Sequence, residues 1–211
     1  MNYQCIFWDN DGVLVDTEGL YYEASREALA RIGYDLTVER FAEISLATGR
    51  SVFELATADE ALMDALRDWR NQRYRELLTA RQLLLPQVRE TLESLAPHKQ
   101  MAIVTSSRRD HFDLIHAATE LLHLFDFILC REDYREAKPD PEPYLKAVQC
   151  SGRDPRQCLV IEDSVRGLTA AKAAGLTCWV IPSAQTCGQD FAAADRILQG
   201  VAEVEQLLLR G

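Results

Sequence analysis

The chain predicts a doubly wound, Rossmann-like α/β fold: a parallel sheet between helix layers, with an all-α block inserted after the first strand. Three observations carry this. Five short runs are apolar on every residue, helical patterns separate the last four of them, and about ninety residues after the first run hold no strand pattern. Strands apolar on both faces must be covered on both faces, as in a parallel sheet flanked by helices.

The first run is Cys5-Ile6-Phe7-Trp8. After it, Leu20, Ala24, Ala28 and Ile32 fall four apart and stop at Gly33, which predicts an amphipathic helix. A shorter helix is expected over Val38 to Leu46. A second long stripe follows Asp59, a residue type that caps helix N-termini, through Leu62, Leu66, Trp69, Arg73 and Leu77. Leu83-Leu84-Leu85-Pro86 reads as the return to the sheet. Residues 17–85 are therefore expected to form a helical cap domain, with 1–16 and 86–211 forming the α/β core; composition alone fits one continuous decorated domain equally well. The later strands are Met101 to Val104, Phe127 to Cys130, Cys158 to Ile161 and Cys178 to Ile181. Helices are expected between them over His111 to Leu124, Tyr144 to Ser151 and Gly167 to Ala174, the last closed by Gly175.

Composition narrows the function classes. With 211 residues, 47% of them apolar, the chain can bury a sizeable core. Lys plus Arg number 23 against 33 Asp plus Glu, a net charge of −10, which argues against a nucleic-acid partner. No apolar run approaches ~18 residues, so no membrane span is expected. Met1 to Gln4 open no secretory signal. Four of the six cysteines (Cys5, Cys130, Cys158, Cys178) lie in apolar runs and no C-x-x-C pair occurs, which predicts reduced core thiols in a cytoplasmic protein. The four histidines form no zinc pattern.

The chemistry is written at the strand ends, where open parallel sheets bind ligands. The first strand runs into Asp9-Asn10-Asp11-Gly12-Val13. Paired carboxylates there are costly without a neutralising cation, although D-x-D-G alone also fits an Asx turn. The second strand ends in Thr105-Ser106-Ser107, hydroxyls and amides before a helix that suit an oxyanion. Lys138, one of four lysines, follows the third strand in a proline-stiffened loop, and the fourth strand ends in Glu162-Asp163-Ser164. Two acidic pairs, hydroxyls and a lysine on neighbouring strand ends make a site. Asp9, Asp11, Glu162 and Asp163 are hard oxygen ligands, which favour Mg²⁺.

With these residues in order, the chain resembles the haloacid dehalogenase-like hydrolases, in the helical-cap branch of phosphoglycolate phosphatase-like and β-phosphoglucomutase-like enzymes. The resemblance covers essentially the whole chain and rests on Asp9 to Val13, Val104 to Ser107, Lys138-Pro139, and Ile161 to Ser164 followed by Gly167. Val15 to Glu18 resembles the family's lead-in to the cap. Trp8 stands where phenylalanine is usual, and Gln87 where glycine is usual.

The resemblance implies an Mg²⁺-dependent phosphatase acting on a small phosphorylated metabolite through an aspartyl-phosphate. It makes Asp9 the nucleophile, Asp11 the general acid and base, and Thr105 and Lys138 the phosphoryl-binding groups. The metal would be held by Asp9, the Asp11 carbonyl, Glu162 and Asp163. Ser106 and Ser107 are expected at the substrate. So is Arg50, in a cap loop Thr48-Gly49-Arg50-Ser51 that also fits a solvated turn; Arg108 and Arg109 fit either role too. A monomer or weak homodimer is expected. Within the family, Asp11 and the second acidic pair argue against dehalogenation, and the absence of lysine from residues 1–98 against Schiff-base phosphonate cleavage. A sugar phosphomutase remains the alternative, and a non-catalytic binding protein on the same fold the alternative of another class.

Overall fold

Alternate residues of the central strands enter two different apolar clusters, which is why every position in them is apolar. Ile6, Trp8, Met101, Ile103, Leu159 and Ile161 face one side. Cys5, Phe7, Ala102, Val104, Cys158 and Val160 face the other. The computed structural model describes residues 3–209. Its elements run β1 (Cys5–Trp8), α1 (Glu18–Ala30), α2 (Val38–Phe41), α3 (Glu60–Thr79), α4 (Val88–Leu95), β2 (Gln100–Val104), α5 (Arg109–His116), β3 (Phe127–Leu129) and α6 (Glu142–Ser151). They continue with β4 (Cys158–Glu162), α7 (Val165–Ala173), β5 (Thr177–Val180), β6 (Arg196–Ile197) and α8 (Val201–Leu209).

The sheet order is β3-β2-β1-β4-β5-β6, and each neighbouring pair is parallel. Helices α4, α5 and α8 supply Leu92, Phe112 and Val204 to the first cluster. Helices α6 and α7 supply Tyr144 and Leu168 to the second. The expected Rossmann-like layering is the observed one. The chain builds outward from β1 through β2 to β3, then returns to place β4 on β1's other side. The topological switch point therefore falls between β1 and β4, at their carboxyl ends.

Between β1 and β2 the chain is helical. Asp59 caps α3 by accepting the amides of Ala61 and Leu62, as its position suggested. Helices α1 and α3 pair, and Leu29, Phe41, Phe53, Met63 and Leu66 form a third apolar cluster. Lower on the same helices, Leu20, Ala24, Tyr74 and Leu77 join the cluster on the sheet. The two connections run side by side, with the Asp16 amide donating to the Leu83 carbonyl at 2.8 Å and Leu85 to Leu14 at 3.0 Å.

Two local expectations change, and two features go beyond them. The helix expected over His111 to Leu124 stops at His116; Glu120 takes φ +53°, and Leu122–Leu124 form a separate 3-10 turn. The segment from Val38 is α-helical only to Phe41 and continues as a π-helix over Ala42–Leu46. Strand β6 was not legible because its two residues, Arg196 and Ile197, are both exposed. Gln87, the departure from glycine, sits at φ +63°, a left-handed backbone that costs a residue with a Cβ about 1 kcal/mol.

Candidate active site

The carboxyl ends of β1, β2 and β4 converge at the switch point, and the loop after β3 brings in Lys138. Its ammonium donates to Asp9 Oδ1 at 2.7 Å, Glu162 Oε1 at 2.6 Å and the Val104 carbonyl at 2.8 Å. Three acceptors satisfy its three protons. Lys138 is 3% exposed. Burial opposes its charge, but Asp9 and Glu162 outweigh that and hold the ammonium above its ordinary pKa.

Asp9, Glu162 and Asp163 are all buried, with one carboxylate oxygen of each within 4.8 Å of the others. Burial, then Glu162, push Asp9 up to about 7 against the pull of Lys138. Burial, then Glu18 and Asp9, push Asp163 well above the usual carboxylate range. The cluster carries more negative charge than Lys138 neutralises, and a hard divalent cation fits this donor set. Glu162 is the most committed member. Its Oε1 also takes the Tyr144 hydroxyl at 2.5 Å, and its Oε2 takes the Asp163 amide and Ser164 hydroxyl at 3.3 Å.

Two glycines make room for these carboxylates. A Cβ on Gly12, whose φ is +80°, would lie 2.4 Å from Asp163 Oδ2, and one on Gly167 would lie 1.9 Å from the Glu162 carboxyl carbon. The second explains why the motif includes a glycine three residues after Ser164.

Asp11 stands apart from the cluster. Its Oδ2 accepts Ser107 Oγ at 2.7 Å, Thr105 Oγ1 at 3.2 Å and Asn10 Nδ2 at 3.4 Å, and its Oδ1 accepts the Thr17 hydroxyl. Ser106 Oγ is buried beside them with no partner among the described residues. Neither Asn10 nor Thr17 carried a role in the sequence; Asn10 adjoins Asp11 in the chain, and the turn after it brings in Thr17. Glu18 was likewise missed: it is buried, its Oε2 accepts Ser183 Oγ at 2.7 Å, and Thr186, paired with Ser183, reaches Asp163 Oδ2 at 3.5 Å.

A cavity of about 330 Å³ opens between these strand ends and the helices above, lined by Asp9, Asp11, Ser106, Ser107 and Lys138 from below. From above, Gly49, Arg50 and Ser51 reach it, so the Thr48 to Ser51 loop does face the site. The Arg50 guanidinium itself is 66% exposed and bound to Glu54 at 2.5 Å. Arg70 and Arg166 also line the cavity, and neither forms an ion pair among the described residues. Arg70 is stacked 4.4 Å from the Tyr21 ring centroid and 5.5 Å from that of Phe53. Nε of Arg166 is buried without a partner among the described residues. Arg108 lines the cavity but pairs with Asp110, and Arg109 pairs with Asp133.

The family model for haloacid dehalogenase-like hydrolases matches residues 6–181, most of the chain and every strand end just described. The chain belongs to this family. Among haloacid dehalogenase-like relatives, protein CbbY of Rhodobacter capsulatus is 33% identical over 210 residues, covering 92% of each chain. Fructose-1-phosphate phosphatase YqaB of Escherichia coli (strain K12) is 29% identical over 180 residues, covering 82% of this chain and 94% of that one. The crystal structure of CbbY from Rhodobacter sphaeroides in complex with phosphate superposes with a TM-score of 0.83 at 25% identity, covering 96% of both chains. A variant of that protein, solved with xylulose-(1,5)bisphosphate, matches at the same TM-score of 0.83 and 25% identity, over 95% of this chain and 96% of that one. Family and fold are those the four motifs implied.

Proposed function

We propose that this haloacid dehalogenase-like hydrolase is an Mg²⁺-dependent phosphatase that cleaves a small sugar phosphate through an aspartyl-phosphate on Asp9. The carrying observation is the buried Lys138 ammonium bonded to Asp9 Oδ1 beside two further carboxylates. Its class, a phosphatase, rests on the family match and on the phosphatases among its relatives. In the covalent step an Asp9 oxygen attacks phosphorus, the ester P–O bond breaks, and Asp11 gives its proton to the departing oxygen. Asp11 then takes a proton from the water that attacks the same phosphorus, releasing phosphate and restoring Asp9. Lys138, Ser106 and Ser107 line the cavity and would offer donors to the transferred group, while Thr105, expected there too, is fully buried behind them with its hydroxyl on Asp11. Mg²⁺, held by Asp9, Asp163 and Glu162 with the Asp11 carbonyl, would neutralise charge on the phosphoryl oxygens. Residues 17–85 act as the cap that selects the substrate and excludes bulk water.

The test is phosphate release from a panel of monoesters with purified protein and Mg²⁺: sugar phosphates are expected to rank first. EDTA should stop turnover and Mg²⁺ restore it, and Asp163→Ala should raise the Mg²⁺ concentration giving half activity. Full turnover by metal-stripped protein contradicts this.

The cavity's polar roof supports a sugar phosphate over an apolar ester. Arg70, held between two rings and free of carboxylates, is better placed than Arg50 to grip the remote end of such a substrate. Arg70→Ala is expected to cost about 1.5–3 kcal/mol in kcat/KM on sugar phosphates, the scale of a charge-assisted hydrogen bond. Arg50→Ala should cost less, because Glu54 already holds that guanidinium. Equal losses of Arg70→Ala on 4-nitrophenyl phosphate, which offers no remote polar groups, would return Arg70 to a packing role.

A further inference from the structure

We infer that Asn10, His116 and Thr119 form a buried polar strut that positions Asp11 for proton transfer. The inference rests on Asp11 being the general acid of the proposed reaction. Asn10, between the two aspartates, is the hub of their loop: its carbonyl accepts the amides of Val13, Leu14 and Val15 at 3.4, 2.8 and 3.1 Å. Its side chain turns away from the cavity. Oδ1 meets His116 Nε2 at 2.8 Å, while Nδ2 donates to Asp11 Oδ2 at 3.4 Å. On the far side of the ring, His116 Nδ1 meets Thr119 Oγ1 at 3.0 Å. Asn10, His116 and Thr119 are 0%, 4% and 7% exposed.

Burial keeps the imidazole neutral, with its pKa down to about 4. A neutral ring has one N–H, and the amide orientation that serves Asp11 turns Oδ1 toward the ring. The proton therefore belongs on Nε2, which leaves Nδ1 to accept from the Thr119 hydroxyl at 3.0 Å, closer than that hydroxyl's other acceptor, the His116 carbonyl at 3.2 Å. The donors then run one way, from Thr119 through His116 and Asn10 to Asp11. An apolar side chain at position 10 or 116 would break the chain and strand a buried polar partner. Helix α5 thus grips the catalytic loop from behind, and Asn10 and His116 are positioning residues.

The experiment compares kcat/KM on an alkyl phosphate with that on 4-nitrophenyl phosphate, whose leaving group needs no proton. Asp11→Asn is the reference and should lose far more on the alkyl ester. Asn10→Leu and His116→Phe should show the same split, with the alkyl loss exceeding the aryl loss by about tenfold or more, since general acids contribute 10²–10⁴-fold. His116→Gln, which keeps a donor for Asn10, should recover most of the difference. Equal losses on both esters, or no loss, overturn the strut. An Asp11→Asn variant without the split overturns the reading of Asp11 instead. If the apolar variants do not fold, ring ¹⁵N NMR of the wild-type protein at pH 7 decides: the Nε2–H tautomer is expected, and the Nδ1–H tautomer or imidazolium overturns the strut.

Discussion

Asp9→Asn is expected to abolish phosphate release while leaving the chain folded. An amide cannot form the acyl-phosphate bond that the proposed mechanism assigns to the carboxylate, yet it has nearly the same shape and still accepts a hydrogen bond from Lys138. Stability should rise rather than fall, and the pH dependence gives the sign. In the fold the Asp9 pKa is pushed up to about 7, against about 3.9 for an aspartate in an unfolded chain. Folding therefore disfavours its ionised form. The penalty is absent below the unfolded value, grows between the two, and is complete above the folded one. In EDTA, the melting temperature of Asp9→Asn should exceed that of wild type above pH 7, and the gap should close toward pH 4. A variant less stable than wild type at pH 8 would mean that Asp9 is held as a favourable ion-pair partner of Lys138.

Much of this site was legible because its residues sit at strand ends, where short sequence runs map directly onto position. Asp9, Thr105 and Asp163 close apolar runs, Lys138 lies in the loop after another, and the parallel sheet does the rest of the assembly. Residues that reach the site from helices were hidden. Arg70 lies within a long amphipathic stripe and looks like any solvated cation, while Arg50 drew notice only because glycine interrupts the pattern beside it. Asn10 fell inside a recognised motif, but its partner His116 is 106 positions away and no local signal links them. The end of α5 was missed for a related reason: the apolar pattern continues past His116 through Leu121 and Leu124, although the backbone turns at Glu120.

Lys138→Met carries the second large effect, on stability and turnover together. The substitution keeps much of the stem's volume but leaves Asp9 and Glu162 buried with no cation bonded to either. Breaking a buried pair in this way costs about 3–5 kcal/mol. Urea unfolding at pH 8 in EDTA should show a loss of that order. The loss should shrink toward pH 5, where Asp9, whose pKa burial already raises, takes up a proton instead of standing charged. Turnover should vanish with it, because a phosphate dianion would approach the aspartates without the ammonium that offsets their repulsion. A variant within about 0.5 kcal/mol of wild type at pH 8, a change ordinary for surface substitutions, would remove Lys138 from the electrostatic centre of the site.

The covalent role of Asp9 is the claim on which the rest of the mechanism stands, and acid quenching during turnover of a ³²P-labelled sugar phosphate tests it most directly. Wild-type protein should carry a hydroxylamine-sensitive label on the peptide containing Asp9, and Asp9→Asn should carry none. Turnover at full rate with no label on that peptide at any quench time, or with the label on another residue, would contradict the account.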